Sequence, residues 1–360
     1  MSQFHSLKIK DIRRETPDCV SISFHIPEDL KEAFRYAAGQ YITLKQLIQS
    51  DEVRRSYSIC SSPYENELRV AVKKVEDGKF SSYANDTLKV GDVLEVMEPL
   101  GNFCARNTGE GNKNYLAFAA GSGITPVYGI MKSVLREDPE STFTLIYGNK
   151  NRGTIIFKEG LEALKNKYME RLVIHHIFTR EKTDTATFNG RINRQKAEEF
   201  RKIVDYDRFS EVFICGPEDM IMDLKGFFEA EQVPGQKVHF ELFASPDQPR
   251  VASKEWIEKT KNIDTSKMSR VTVRLDGTSF EFDLPYGGDT ILDAALKNGA
   301  DLPFACKGGV CCTCRAKVTE GEVDMEVNYA LEPDELANNF VLTCQAHPRS
   351  EAVFVDFDIK

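Results

Sequence analysis

From Val20 to Gly101 short apolar runs alternate with polar positions and are separated by turn residues: VSISF (20–24), QYITL (40–44), RSYSI (55–59), LRVAVKKV (68–75) and VLEVMEPLG (93–101). Period-two runs of this length predict half-buried strands of an antiparallel barrel. After Asn114 the texture changes. YLAFAAGSGITPVYGIMKSVL reads as a buried strand, a glycine turn and an amphipathic helix, and FTLIYGN, FKEGLEALKNKY, RLVIHHIFT and EVFICGP follow it. Strands alternating with helices predict βαβ units and a parallel sheet. The stretch from 245 to 267 lacks a sustained period, carries two prolines and many charges, and reads as a linker. Beyond it RVTVRLDGTSFEFDLP (270–285) predicts a hairpin turning at Asp276-Gly277. DTILDAALKNG (289–299) predicts a short helix capped by Asp289 or Thr290 and stopped at Gly299, with RAKVTEGEVDM and AVFVDFD as later strands. The chain is therefore expected to be multi-domain: an antiparallel β-barrel over 1–108, an α/β parallel-sheet domain over 109–244, a linker over 245–267, and an α+β domain of β-grasp type over 268–360.

Length agrees with this division, since 360 residues make two to three domains at roughly 150 each. The 41% hydrophobic content is that of an ordinary globular chain. No run approaches the roughly 18 apolar residues of a membrane span, and the N-terminus has no apolar segment behind its charges, so a cytoplasmic protein without a membrane anchor is expected. The net charge of −9 is uneven: between Met268 and Lys360, 16 acidic side chains stand against 8 basic ones. That distribution argues against nucleic-acid binding and suggests an acidic C-terminal domain meeting a basic patch, with Glu332, Asp334 and Glu335 as candidate rim; an acidic face kept for solubility explains it equally.

Nine cysteines without a secretion signal are not a disulfide framework. Cys19, Cys60, Cys104 and Cys215 are scattered and read as small core residues, whereas Cys306, Cys311, Cys312, Cys314 and Cys344 crowd one end. Cys306, Cys311, Cys314 and, after 29 intervening residues, Cys344 fit the C-x4-C-x2-C…C spacing of a plant-type [2Fe–2S] centre. Four thiolates must converge on two irons, and Gly308 and Gly309 let the loop curl so that backbone N–H groups face the sulfurs. A zinc ribbon would prefer two separated C-x2-C pairs. Cys312 is the spare thiol. Residues 270–360 resemble a plant-type ferredoxin domain, through FACKGGVCCTCRAKV and VLTCQA.

Arg55-Ser56-Tyr57-Ser58 combines a guanidinium, which suits a phosphate, with an aromatic ring and hydroxyls. It resembles the R-x-Y-S flavin signature of the ferredoxin-NADP reductase-like family. Gly39-Gln40-Tyr41 precedes it, and Gly78 to Ser82, with Ser81 and Ser82, follows where that family closes a helix N-terminus on the flavin phosphates; the resemblance implies FAD rather than FMN. Gly121, Gly123, Thr125 and Pro126 form a G-x-G-x-T-P turn, with proline where a Rossmann fingerprint has its third glycine, and resemble the family's nicotinamide-pyrophosphate turn. Cys215-Gly216-Pro217 matches the position where the family sets a cysteine beside the nicotinamide. Thr179-Arg180-Glu181 resembles the S-R-E segment that grips an adenosine 2′-phosphate, which favours NADPH over NADH although Glu181 argues the other way. His175 and His176, adjacent in a strand, point to opposite faces and cannot share a metal.

The order flavin, nicotinamide, [2Fe–2S] resembles the reductase components of multicomponent oxygenases. It implies a converter that takes two electrons from NADPH and delivers them singly through FAD and the cluster, with Cys215, Tyr57 and Ser58 at the reacting centre. The implied acceptor is an oxygenase, foremost a di-iron hydroxylase, with ring-hydroxylating dioxygenases and steroid hydroxylases as alternatives. A non-catalytic redox-sensing module is the reading from another class.

Overall fold

The computed structural model describes residues 4–105, 112–233, 236–243 and 254–359. The expected boundary at 108 and the first part of the expected linker lie outside the described residues. The chain divides into two compact units, one built on Phe4–Val53 and Tyr57–Phe243 and the other on Arg54–Ser56 and Ala244–Lys360.

In the first unit, six antiparallel strands are β1 (Phe4–Thr16), β2 (Cys19–His25), β3 (Tyr41–Ile48), β4 (Asp51–Ser58), β5 (Leu68–Lys73) and β6 (Val93–Met97). Their order is β4-β3-β6-β1-β2-β5, and the two edges meet through an Ile59–Val70 bridge that closes the sheet into a barrel. Alternate residues such as Leu7, Ile9, Ile22, Leu44, Val70, Val72, Leu94 and Val96 fill its interior. Helix α1 (Lys79–Asp86) turns Phe80 and Ala84 into that core. β1 was not legible in the pattern, because the Lys and Arg positions of FHSLKIKDIRRET face outward and mask the alternation of Leu7 and Ile9.

The same unit continues with β7 (Asn114–Ala120), α2 (Ile124–Glu137), β8 (Thr142–Asn149), α3 (Lys158–Lys167), β9 (Leu172–Phe178), α4 (Arg194–Phe200), β10 (Glu211–Gly216), α5 (Glu218–Glu231) and β11 (Lys237–Leu242). The parallel sheet runs β11-β10-β7-β8-β9. Residues on one face, including Ala117, Ala119, Leu145, Tyr147, Phe213 and Cys215, pack against α2 and α3. The opposite face, with Phe118, meets Tyr206 and Phe228. His175 stacks with Phe188 and Phe200, and His176 with Tyr147 and Phe178, so the neighbours do face apart. Burial pushes both imidazoles below their ordinary range.

The second unit holds α6 (Lys254–Thr260), β12 (Met268–Leu275), β13 (Thr278–Pro285), α7 (Ile291–Lys297), β14 (Arg315–Glu320), β15 (Val323–Met325), α8 (Pro333–Ala337), β16 (Phe340–Leu342), β17 (Ala346–Pro348) and β18 (Ala352–Asp356). A mixed sheet β13-β12-β18-β14-β16, with β12 parallel to β18, and a β15–β17 ribbon make the β-grasp arrangement. The hairpin turns at Asp276-Gly277, both left-handed, and the Asp358 carboxylate accepts both their N–H groups at 2.7 and 2.9 Å. Thr290 is the cap of α7, accepting from Asp293 N–H at 3.2 Å, while Asp289 pairs with Lys297. Part of the expected linker is helical: α6 sets Trp256 against His347 and beneath the Arg349 guanidinium.

Candidate functional site

β4 carries the flavin signature. Alternation along a strand puts Arg55 and Tyr57 on one face and Ser58 on the other. Tyr57 lies 5.5 Å from the ring of Phe80, the second residue of α1, so the aromatic of the signature is braced by the helix that follows it. Gly78 precedes α1; the Ser81 hydroxyl donates to Gly78 O at 3.3 Å and accepts from Val75 N–H at 3.2 Å, and Ser82 N–H returns to Gly78 O. Ser81 is buried and its hydroxyl holds the turn; the start of α1, where a helix has no intrahelical acceptors for its first N–H groups, is the feature suited to an anion. A guanidinium, an aromatic face, a hydroxyl and a helix N-terminus form a donor set that fits a flavin nucleotide.

The glycine turn is a single 3-10 turn, Gly121–Gly123, between β7 and α2. Thr125 Oγ1 donates to Ser122 O at 3.0 Å and Tyr147 Oη to Gly121 O at 2.9 Å. Pro126 falls in the first helical turn, where its missing N–H leaves no intrahelical bond unmade. A Cβ on Gly123 would lie 2.0 Å from Cys215 O, so only glycine lets the turn rest on the end of β10. That contact makes Gly121, Gly123, Thr125 and Pro126 one site with Cys215, Gly216 and Pro217, the last opening α5. The helix that the turn opens, α2, is held to the segment after β4: Ser62 and Ser133 hydroxyls are 2.9 Å apart, and Lys132 reaches Glu65 at 2.5 Å.

One residue of this centre escaped the sequence reading. Glu241 stands beside Cys215 in the β10–β11 register and accepts a hydrogen bond from Ser58 Oγ at 3.0 Å. It keeps a little accessible surface, but desolvation pushes its carboxyl up to about 8, against the opposing hydrogen bond from Ser58. Burial, with Glu241 adding to it, likewise holds the Cys215 thiol well above its ordinary value, so this cysteine is a neutral packing surface rather than a thiolate. The end of β4 thus meets the end of β10 through Glu241 of β11. A carboxylate inside the apolar run VHFELF was the signal available in the sequence.

Arg180 is elsewhere, exposed after β9 two strands from β7. The Glu181 carboxylate accepts from Arg152 N–H at 2.9 Å and pairs with the Arg152 guanidinium at 3.1 Å, so its charge is already matched. Of the scattered cysteines, Cys19, Cys60 and Cys215 are buried as expected, while Cys104 is half-buried.

In the second unit Cys306, Cys311, Cys314 and Cys344 are all buried. The Cys306 and Cys311 sulfurs are 3.1 Å apart, Cys306 also interacts with Cys344, and Cys344 with Cys314. Gly308 N–H points at Cys306 Sγ at 3.3 Å. Among the described residues no group is arranged as a single-ion cage; four converging thiols with an N–H donor already aimed at one sulfur fit a two-iron cluster. Cys312 Sγ instead faces Ala330 O at 3.4 Å.

Comparison with known proteins matches each part. Residues 6–104 match the oxidoreductase FAD-binding domain, 118–225 the oxidoreductase NAD-binding domain, and 273–349 the 2Fe-2S iron-sulfur cluster binding domain. The chain is 44% identical to a subunit of the 1,2-phenylacetyl-CoA epoxidase of Escherichia coli K12, covering 100% of this chain and 99% of that protein. It is 33% identical to the ferredoxin reductase component of 3-ketosteroid-9-alpha-monooxygenase of Rhodococcus rhodochrous, over 98% and 96%. Phthalate dioxygenase reductase shares the fold at TM-score 0.59 and 22% identity, covering 98% of both chains. A type IV self-sufficient cytochrome P450 monooxygenase does so at 0.68 and 22%, over 98% of this chain and 41% of that one.

Proposed function

The chain belongs to the reductase components of multicomponent oxygenases that carry FAD-, NAD- and [2Fe–2S]-binding domains, and we propose that it draws electrons from NADPH and delivers them to the di-iron hydroxylase that epoxidises phenylacetyl-CoA. The setting is the cytoplasm. Residues 1–108 hold FAD, 109–244 the nicotinamide nucleotide and 268–360 the cluster, with 245–267 joining them. The observation that carries this reading is the contact of Ser58 with Glu241 beside Cys215, which brings the end of the flavin strand to the end of the nicotinamide strand.

A bound flavin accepts the two electrons of a hydride together and passes them on singly to a one-electron cluster. Around it Arg55 neutralises phosphate, Tyr57 covers one side of the flavin, and Ser58, held by Glu241, fixes the ring edge. The N–H groups between Gly78 and Ser82 take the flavin phosphates. Gly121, Gly123 and Thr125 present backbone N–H groups to the nicotinamide pyrophosphate, Pro126 shapes the first helical turn behind them, and the neutral Cys215, with Gly216 and Pro217, packs beside the nicotinamide and keeps water out. Arg180 receives the adenosine 2′-phosphate, a role supported by its exposure and by the pairing of Glu181 with Arg152. Cys306, Cys311, Cys314 and Cys344 ligate the irons.

The test is anaerobic mixing of the purified holoprotein with NADPH, followed by phenylacetyl-CoA epoxidation once the hydroxylase subunits are added. Flavin and cluster should bleach in turn and product should form; bleaching without product, but with turnover of a steroid hydroxylase or a ring-hydroxylating dioxygenase, would move the acceptor to the class of the steroid relative. A sensing module would leave cytochrome c reduction by NADPH near background. Arg180→Ala should raise KM for NADPH by about 10- to 100-fold, the worth of one lost charge-assisted hydrogen bond, with KM for NADH little changed. Equal effects on both nucleotides would return Arg180 to a surface role.

A further inference from the structure

Gln345 follows the fourth cysteine, and the whole residue is buried, 1% exposed. Burying an amide costs free energy unless its hydrogen bonds are made. Nε2 has two acceptors in front of it: Lys307 O at 3.1 Å, inside the three-cysteine loop, and Cys344 Sγ at 3.5 Å. Both amide protons are used, one on each side of the gap between the loop and the distant ligand. With two acceptors facing it, nitrogen is the end of the amide that must be turned there.

The backbone around that contact needs support. Lys307 sits at φ +50 and Gly309 at φ +72, so the loop passes twice through the left-handed region within three residues. The Gln345 Cγ lies 3.2 Å from where a Cβ on Gly309 would be, which places the same side chain directly beneath the second of these turns. Gln345 is in turn fixed by its own backbone, its N–H donating to Leu342 O at 2.8 Å and its carbonyl accepting from Glu326 N–H at 3.0 Å.

We propose that Gln345 is a positioning residue for the [2Fe–2S] centre, its buried amide joining Lys307 O of the three-cysteine loop to Cys344 Sγ and stabilising the reduced cluster. An added electron increases negative charge on the ligand sulfurs, and a donor aimed at one of them favours that state; hydrogen bonds to the sulfurs are among the features that set such potentials. The inference rests on the cluster reading above.

The experiment uses the full-length protein with both cofactors. Gln345→Met keeps the length and volume and removes both donors. In an EPR-monitored redox titration its cluster should titrate at a more negative potential than the wild type, while iron content, flavin potential and the rate of flavin reduction by NADPH stay unchanged. A loaded Q345M cluster with the wild-type potential overturns the inference and leaves the electron-transfer reading intact; a wild-type protein that binds no cluster overturns both. Should Q345M purify without iron, the wild-type protein decides. Gln345 is the one glutamine between Lys254 and Lys360, so reduced protein labelled with 15N in its glutamine side-chain amides should show coupling of the cluster electron to a single amide nitrogen. No coupling overturns the proposal.

Discussion

At the scale of single residues, Glu241 carries a titration. Its carboxyl, near 4.5 in an unfolded chain, stands at about 8 in the fold because burial disfavours the charge. Between those values the folded state holds a proton that the unfolded chain releases, so stability falls as pH rises from about 5 to 8. Glu241→Gln keeps the shape and the contact with Ser58 but has no proton to lose. Denaturant titrations at pH 5.5 and 8.5 should show the wild type losing on the order of 1–3 kcal/mol more than the variant over that interval; parallel losses would mean that Glu241 ionises normally. The local sequence shows a carboxylate inside the apolar run VHFELF, but not that it holds a proton. Its environment comes from Ser58, which is 183 positions away.

At the scale of elements, the barrel is fastened by one buried arginine. Arg69 on β5 donates to Ser21 on β2 at 2.9 Å, to Asp11 on β1 at 2.5 Å and to Glu67 at 2.8 and 3.1 Å. Its hydrogen bond draws the Glu67 carboxyl down to about 2, against desolvation that would raise it. Arg69→Met would leave the half-buried Glu67 carboxylate without its guanidinium, while Asp11 keeps Arg13 at 2.8 Å, and should cost about 1–3 kcal/mol at neutral pH. The depressed carboxyl contributes stability above about pH 4.5 that is lost as pH falls toward 2. The gap between wild type and R69M should therefore narrow across that acid range, and a gap independent of pH would assign the loss to packing. The alternation of LRVAVKKV predicts the strand and places Glu67 beside Arg69, but only the neighbouring strands bring it Ser21 and Asp11.

At the scale of the whole molecule, cofactor chemistry is divided between two compact units. Cys311→Ser should abolish the visible absorption of the cluster and leave flavin reduction by NADPH intact; loss of both would deny that the units act separately. The acidic bias of the C-terminal unit predicts salt-sensitive delivery to the oxygenase, because the Debye length falls from about 10 Å at 0.1 M to about 3 Å at 1 M. The rim narrows in the fold. Glu335 is paired with Arg315 and accepts from Glu332 N–H, whereas Asp334 is exposed. Partner-dependent turnover should decline with salt while reduction of ferricyanide, a small acceptor with no docking surface, does not decline in parallel. Turnover that held steady would return the acidic bias to solubility.

The features legible in the sequence are those whose partners lie a few residues away. The cluster ligands are three cysteines within nine positions and a fourth behind an apolar run. The glycine turn needs its special backbone locally, the Asp276-Gly277 hairpin carries its own turn, and most strands and helices, β1 and α6 excepted, announce themselves by period. Tertiary structure alone decided what depends on distant neighbours: the protonation of Glu241, the seat of the Gly123 turn on Cys215, the pairing that neutralises Glu181, the choice of Thr290 over Asp289 as cap, and the amide of Gln345 between loop and ligand. Periodicity and turn chemistry are properties of short segments, so a chain displays them unfolded. Desolvation and hydrogen-bond partnership belong to a place in space, and that place exists only when strands far apart in sequence have met.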